Sequence, residues 1–250
     1  MAFNWKKTAI IVADIVLGAY LVLAVSAFNR PDVLNDACNE VKIDIKNSTV
    51  KGFLNAEDIK QQLRTAKLYP LGESMNKVNV RSIEDALRQN PLVESAECYK
   101  TLGNSIRITL TQRLPVMRIK ADNGDDYYVD NKGNVMPSTH YVSSLVVATG
   151  NISRKYAQKV LAPIGSMLLN DRLWKSQVEQ FNVLAAGSLE MVPRVGDHVV
   201  YLGRPHHIRQ KLKRLEKFYK YGLSEAGWNK YSYISLEFSN QIICKKRSKV

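Results

Sequence analysis

Residues 90–116, NPLVESAECYKTLGNSIRITLTQRLPV, decide the reading of the fold. From Ser105 to Thr111 the apolar residues Ile106, Ile108 and Leu110 alternate with Arg107, Thr109 and Thr111. A period of two is that of a half-buried strand. Val93 to Tyr99 forms a second strand-like run, and the short Thr101-Leu102-Gly103-Asn104 segment lies between the two. A connection this short joins antiparallel neighbours, so the stretch predicts a hairpin. Pro91 follows Asn90 and ends the helix before it, because the residue preceding a proline is pushed out of the helical region.

Towards the N-terminus, Val41, Ile43 and Ile45 alternate with Lys42, Asp44 and Lys46, a further strand. Asn55 is placed to cap a helix beginning near Ala56, with Asp58 as the capping-box acid and Ile59, Leu63 and Ala66 as its apolar stripe. Ser82, followed by Asp85, is expected to cap a second short helix whose Ile83, Ala86 and Leu87 face inward. The order strand, helix, helix, strand, strand describes a small α+β domain over residues 40–114.

Earlier still, Thr8 to Phe28 is apolar or small at every position but Asp14. As a helix it would reach roughly 30 Å, the thickness of a bilayer's hydrocarbon core. Lys6 and Lys7 precede it, which predicts a cytoplasmic N-terminus (residues 1–7) and a bulk on the far side. A cleaved signal peptide, cut after Val25-Ser26-Ala27, is the competing reading, but the apolar run exceeds the roughly 7–15 residues usual there. Asp14 either snorkels to the interface or faces a second span in a complex. Residues 29–39 read as a linker.

Beyond Pro115 the chain is strand-rich over residues 115–244. Val116–Ile119 and Tyr127–Val129 flank the Asp122-Asn123-Gly124-Asp125 turn, and Val129 to Val135 makes another turn around Asp130. A lone aspartate in a turn reads as a cap in preference to a catalytic acid. Ser144–Gly150 is a strand, and Tyr156, Val160, Ile164 and Leu168 mark a helix interrupted at Pro163. Strands follow at Val178–Leu184, Leu189–Val192 and His198–Leu202. A long helix is then expected from Arg204 to about Tyr221, with Ile208, Leu212, Leu215, Phe218 and Tyr219 on one face and basic residues opposite. On such a helix His206 and His207 diverge and cannot share a metal. Tyr231–Phe238 and Ile242–Cys244 complete the strands.

Asn90 to Ala96, Ile106-Arg107-Ile108 and Gln112 to Val116 resemble the FtsQ/DivIB cell-division family. Its polypeptide-transport-associated (POTRA) domain reads approximately "NP-V--A", "L-I-V" and "ER-PVA" at these places. Val129-Asp130 to Val135 is similar to the family's "VD--G-V", Leu202-Gly203 to the "LG" before its long helix, and Tyr233 to Phe238 to its "IDLRY". The sequence departs at Tyr99–Asn104, where the family has a proline-containing turn, and at Gln112. The resemblance implies an N-terminal transmembrane helix, a POTRA domain, then a β domain with a mostly antiparallel sheet and a long helix. It further implies a non-catalytic scaffold of the divisome, anchored in the inner membrane with its bulk in the periplasm. The final strand would take up a segment of a bitopic partner of the FtsB/FtsL type by strand addition. Carried over by position, the contacts are Phe238, Asn240, Ile242, Ile243 and Lys245, beside a basic tail at residues 245–250. Other division proteins would meet the POTRA domain and the span. The rival reading is a polypeptide-docking component of protein translocation or outer-membrane assembly, where the same small domain recurs in several copies.

The formal net charge of the 250 residues is +13. On an exported chain this points to anionic lipid or acidic protein surfaces, not to nucleic acid. Cys38, Cys98 and Cys244 match neither a disulfide framework nor a zinc pattern. No nucleophile elbow, phosphate loop or zinc helix motif occurs, so the expectation is no enzyme and no cofactor.

Overall fold

Gly103 and Asn104 turn the chain at φ of 88° and 58°, left-handed values that glycine and asparagine adopt most readily. They join β2 (Val93–Thr101) to β3 (Ser105–Gln112) as the expected antiparallel hairpin, two residues longer on its first strand than the alternation foretold. This is a computed structural model, describing residues 5–28, 37–46, 54–138 and 145–248. The expected linker lies outside the described residues except for Ala37–Asn39. So do Met1–Asn4, His140, Ser144 and the last two residues of the basic tail.

The first strand, β1 (Glu40–Lys46), runs parallel to β3, giving the sheet order β1-β3-β2. Helices α2 (Ala56–Thr65) and α3 (Val80–Arg88) make the crossover between β1 and β2 and cover one face. Ile59, Leu63, Ile83 and Leu87 from the helices bury against Ala96, Cys98, Ile106, Ile108 and Leu110 from the strands. Asn55 caps α2 as expected, its Oδ1 accepting from the amides of Glu57 at 2.6 Å and Asp58 at 3.2 Å. Ala66, assigned to the apolar stripe, is instead the exposed C-cap.

The cap of α3 is Asn79, not Ser82. Asn79 sits in extended backbone and accepts from the amides of Arg81 at 3.1 Å and Ser82 at 3.2 Å. Ser82 is already inside the first turn, where its amide is one of those needing an acceptor. Asn79→Ala is therefore expected to cost about 1 kcal/mol of stability, with Ser82→Ala near zero, by urea unfolding.

Among the described residues the second sheet has nine strands, in the order β12-β11-β10-β9-β8-β7-β4-β5-β6. They are β4 (Pro115–Ala121), β5 (Asp126–Asp130), β6 (Val135–Pro137), β7 (Val147–Gly150), β8 (Val178–Val183), β9 (Leu189–Pro193), β10 (Val199–Gly203), β11 (Tyr231–Ser235) and β12 (Ile243–Lys246). The sheet is mixed: β4–β7, β7–β8 and β10–β11 pair in parallel and the remaining neighbours are antiparallel. The physical reason lies in the connections. Parallel strands need long crossovers, and helices supply them between β7 and β8 and between β10 and β11.

The first crossover carries α4 (Arg154–Tyr156), a π turn at Ala157–Leu161, α5 (Ala162–Leu169) and α6 (Trp174–Gln177). Pro163 does not break this helix. It falls at the start of α5, just after the π turn, where a missing backbone donor is accommodated. The second crossover, α7 (Ile208–Phe218), begins four residues later than expected. Gly203 and His207 both take left-handed φ, at 66° and 54°, so residues 204–207 form a loop. His206 and His207 thus precede the helix, exposed, with ring centroids 5.7 Å apart. Lys211, one of the basic residues of this helix, is buried. Its Nζ donates to the carbonyls of Leu202 and Arg204, tying this loop to the helix. Burial pushes its ammonium below the usual range, with Glu237 partly opposing. The helix continues through a π turn, Tyr219–Leu223, into α8 (Ser224–Ala226).

Arg113, between β3 and β4, ties the two sheets together. Its Nη1 donates to Asp130 at 2.7 Å, its Nη2 to the Val93 carbonyl at 3.0 Å, and its amide to the Leu92 carbonyl at 2.9 Å. Nearby, Lys132 pairs with Glu94 at 2.7 Å, and Leu92 packs on the buried Tyr128 and Met136.

Helix α1 (Trp5–Phe28) contains the whole of the apolar stretch. Its described side chains include Ile15, Val22 and Leu23, each about two-thirds exposed. Among the described residues, no helix is long and apolar enough to cross a membrane.

Candidate partner-binding edge

Strand β12 forms one end of the nine-stranded sheet, and among the described residues no strand lies on its outer side. Its outward N–H and C=O groups are thus available as a template for an incoming chain. The antiparallel register with β11 pairs Ser235 with Ile243, Ile234 with Cys244 and Tyr233 with Lys245. Directly opposed residues share a face. Ile234 is fully buried and Cys244 packs on the core, so that row faces inward. Ile243, 48 % exposed, and Lys245 stand on the opposite face beside Tyr233.

That outer face has its own aromatic element: Tyr233 stacks on Tyr201 with centroids 6.1 Å apart at 22°. Burial pushes the Tyr233 hydroxyl up to about 12, with Glu190, Tyr201 and Glu237 adding to the effect. It remains a neutral hydrogen-bonding phenol at any physiological pH.

The other sequence-assigned contacts lie elsewhere. Asn240 and Ile242 line a shallow concavity of about 530 Å³ on the helix side, whose second wall is Arg214, Phe218 and Tyr221 of α7 and the π turn. Arg214 Nη2 donates to the Gln241 carbonyl at 2.7 Å and holds the β11–β12 connection against the helix. Ile242 itself packs partly on the core. Phe238 is 48 % exposed in the same connection. The five residues are therefore split between two sides of one edge. Asp14 is exposed on α1, outside this cluster.

Arg247, just past β12, was assigned only to the basic tail. Its amide donates to the Lys230 carbonyl at 3.0 Å and its Nη2 to the Asp197 carbonyl at 2.6 Å, which pins the end of the edge strand. The i, i+4, i+7 spacing of Arg214, Phe218 and Tyr221 beside the apolar stripe is the signal that could have revealed the helix wall.

Asp130 has the geometry of a cap. Its carboxylate accepts from the amides of Lys132 at 2.9 Å and Asn134 at 2.7 Å, from Asn134 Nδ2 at 2.8 Å, and from Arg113. Burial pushes this carboxyl up, but the hydrogen bonds from Asn134, Arg113 and the backbone outweigh it and hold it below the ordinary value. All its acceptor directions face structural donors.

A family model described as FtsQ/DivIB, C-terminal related, matches residues 114–245. A POTRA-like domain model matches residues 36–111. Compared with curated proteins, the chain has no match. The first of these spans more than half of the chain and carries the sheet edge just described, and the chain accordingly belongs to the FtsQ/DivIB family.

Proposed function

We propose that the chain is a non-catalytic bitopic scaffold of the bacterial divisome that holds partner proteins by strand addition at β12. A cell-division role follows from the family. The observation that carries the finer reading is the unpaired outer side of β12, with Ile243 and Lys245 projecting from one face and Phe238 beside it. Main-chain hydrogen bonds to such an edge supply affinity, and the flanking side chains select the partner. Bitopic division proteins of the FtsB/FtsL type are the proposed occupants. Lys245, Lys246 and Arg247 favour a partner segment with acidic side chains.

Helix α1 is the proposed anchor. Twenty-four residues at about 1.5 Å each give it a length of roughly 36 Å, and Asp14 is the single charged residue from Thr8 to Phe28. Lys6 and Lys7 orient it with the N-terminus in the cytoplasm and the two sheets in the periplasm. The POTRA-like domain and the span, including Asp14, are the proposed meeting points for further divisome components. A fluorescent protein fused to the N-terminus is expected to gather at the division plane of constricting cells. Uniform membrane or cytoplasmic signal through the cell cycle would refute the scaffold reading.

A further inference from the structure

The three-stranded sheet ends on β2, whose outer side faces no strand among the described residues. In an antiparallel pair, alternate residues turn their N–H and C=O away from the partner strand. With Ala96 opposite Leu110 and Cys98 opposite Ile108 of β3, the outward set on β2 includes Ala96 and Cys98. An edge of nine residues with these groups bare would be a template for an extended chain. They are not bare. The Cys98 amide donates to Glu84 Oε1 at 2.8 Å, and the Ala96 carbonyl accepts from Arg88 Nη2 at 2.9 Å.

Both side chains come from α3, one helical turn apart, and they also hold each other. Arg88 Nη2 lies 2.9 Å from Glu84 Oε2, so Glu84 uses one oxygen on the strand and the other on the arginine. Asp85 Oδ1 accepts from Arg88 Nη1 at 3.2 Å and steadies the guanidinium from its other side. Hydrogen bonds to ionised groups are shorter and stronger than those between neutral ones. The flanks of this pair offer an incoming chain little more. On one side the β2–β3 register slips between Val93 and Ser95, and Arg113 Nη2 holds the Val93 carbonyl. On the other, the alternation leaves only Lys100 facing outward before the Gly103-Asn104 turn. An incoming strand would have to displace both α3 side chains, one of which, Glu84, is only 21 % exposed.

We propose that Glu84 and Arg88 form a latch that closes β2 to strand addition, and that the chain it keeps off is a second copy of this one. The β2 sequence is suited to pair with itself. In an antiparallel register centred on Cys98, the exposed Glu97 stands opposite Tyr99 of the second copy and Ser95 opposite Thr101, so no like charges meet. The two sheets therefore end differently: β2 is latched from its own helix, and β12 is open. The latch lies wholly within the POTRA-like sheet, and its test uses no division protein, so its outcome is independent of partner capture at β12.

The full chain in a density-matched neutral detergent is followed by sedimentation equilibrium. A double variant, Glu84→Ala with Arg88→Ala, is expected to self-associate at least tenfold more tightly than the parent. Glu84→Gln, whose amide oxygen still accepts from Cys98, is expected to stay at the parental level. Adding Tyr99→Glu to the double variant sets like charges across the pairing and is expected to restore that level. Deuterium exchange at high dilution is expected to be at least tenfold faster at the Cys98 amide in Glu84→Ala than in the parent. Parental self-association by a double variant whose circular dichroism is unchanged would overturn the inference. So would tighter association that Tyr99→Glu leaves intact, or unchanged exchange at Cys98. Glu84→Ala alone carries the same comparisons where the double variant loses its fold.

Discussion

Asp130→Ala is expected to lower global stability by about 3–5 kcal/mol, the usual consequence of removing one partner of a buried ion pair. Asp130 is 2 % exposed, and its loss strands the Arg113 guanidinium beside the Val93 carbonyl. In a chain of this size that corresponds to a fall in Tm of roughly 10 °C. The same residues join the POTRA-like hairpin to the nine-stranded sheet, so calorimetry of the variant is expected to separate into two transitions. A single transition at the parental Tm would show that Asp130 is dispensable to both.

The pH dependence has a definite sign. The folded-state pKa of Asp130 is lowered, so the unfolded chain binds the proton more readily. Its contribution is fully present above the unfolded value of about 3.9 and is lost as pH falls below that, through the folded value. Acid unfolding of the parent is thus expected to be steeper below about pH 4 than that of Asp130→Ala.

Removing Asn240–Val250 is expected to abolish co-purification of partner division proteins while circular dichroism still reports a folded chain. The deletion takes away β12 and Arg247 but leaves Leu236, fully buried and bonded through its amide to the Tyr201 carbonyl at 2.8 Å. Ile243→Asp in the intact chain is the milder form of the test. It keeps the backbone ladder, alters an exposed side chain, and is expected to weaken capture severalfold to tenfold. Retained capture by the deletion would remove β12 as the binding edge.

The elements that were legible beforehand are those with local causes. The alternation in Ile106, Ile108 and Leu110 and the Gly103-Asn104 turn mark the hairpin, and the Asn55 side chain reaches amides only two and three residues away. The α3 cap was misplaced because Asn79 and Ser82 are both good cap residues, and only the backbone of residue 79 distinguishes them. At the sheet edge, the resemblance had pointed to Ile243 and Lys245, which lie on the outer face of β12. It did not point to the wall of Arg214, Phe218 and Tyr221 or to the clamp of Arg247 on Asp197, since these contacts span tens of residues.

By itself the sequence determined the hairpin, the apolar N-terminal stretch, the family and the position of the last strand, because each rests on residues close together in the chain. Only the tertiary structure decided the parallel pairings of β4, β7 and β8, the burial of Lys211 and the division of Phe238, Asn240, Ile242, Ile243 and Lys245 between two sides of the sheet edge. Strand pairing is a contest between distant segments, settled by which crossover lets helices cover the sheet, and it leaves no local trace in the residues that take part.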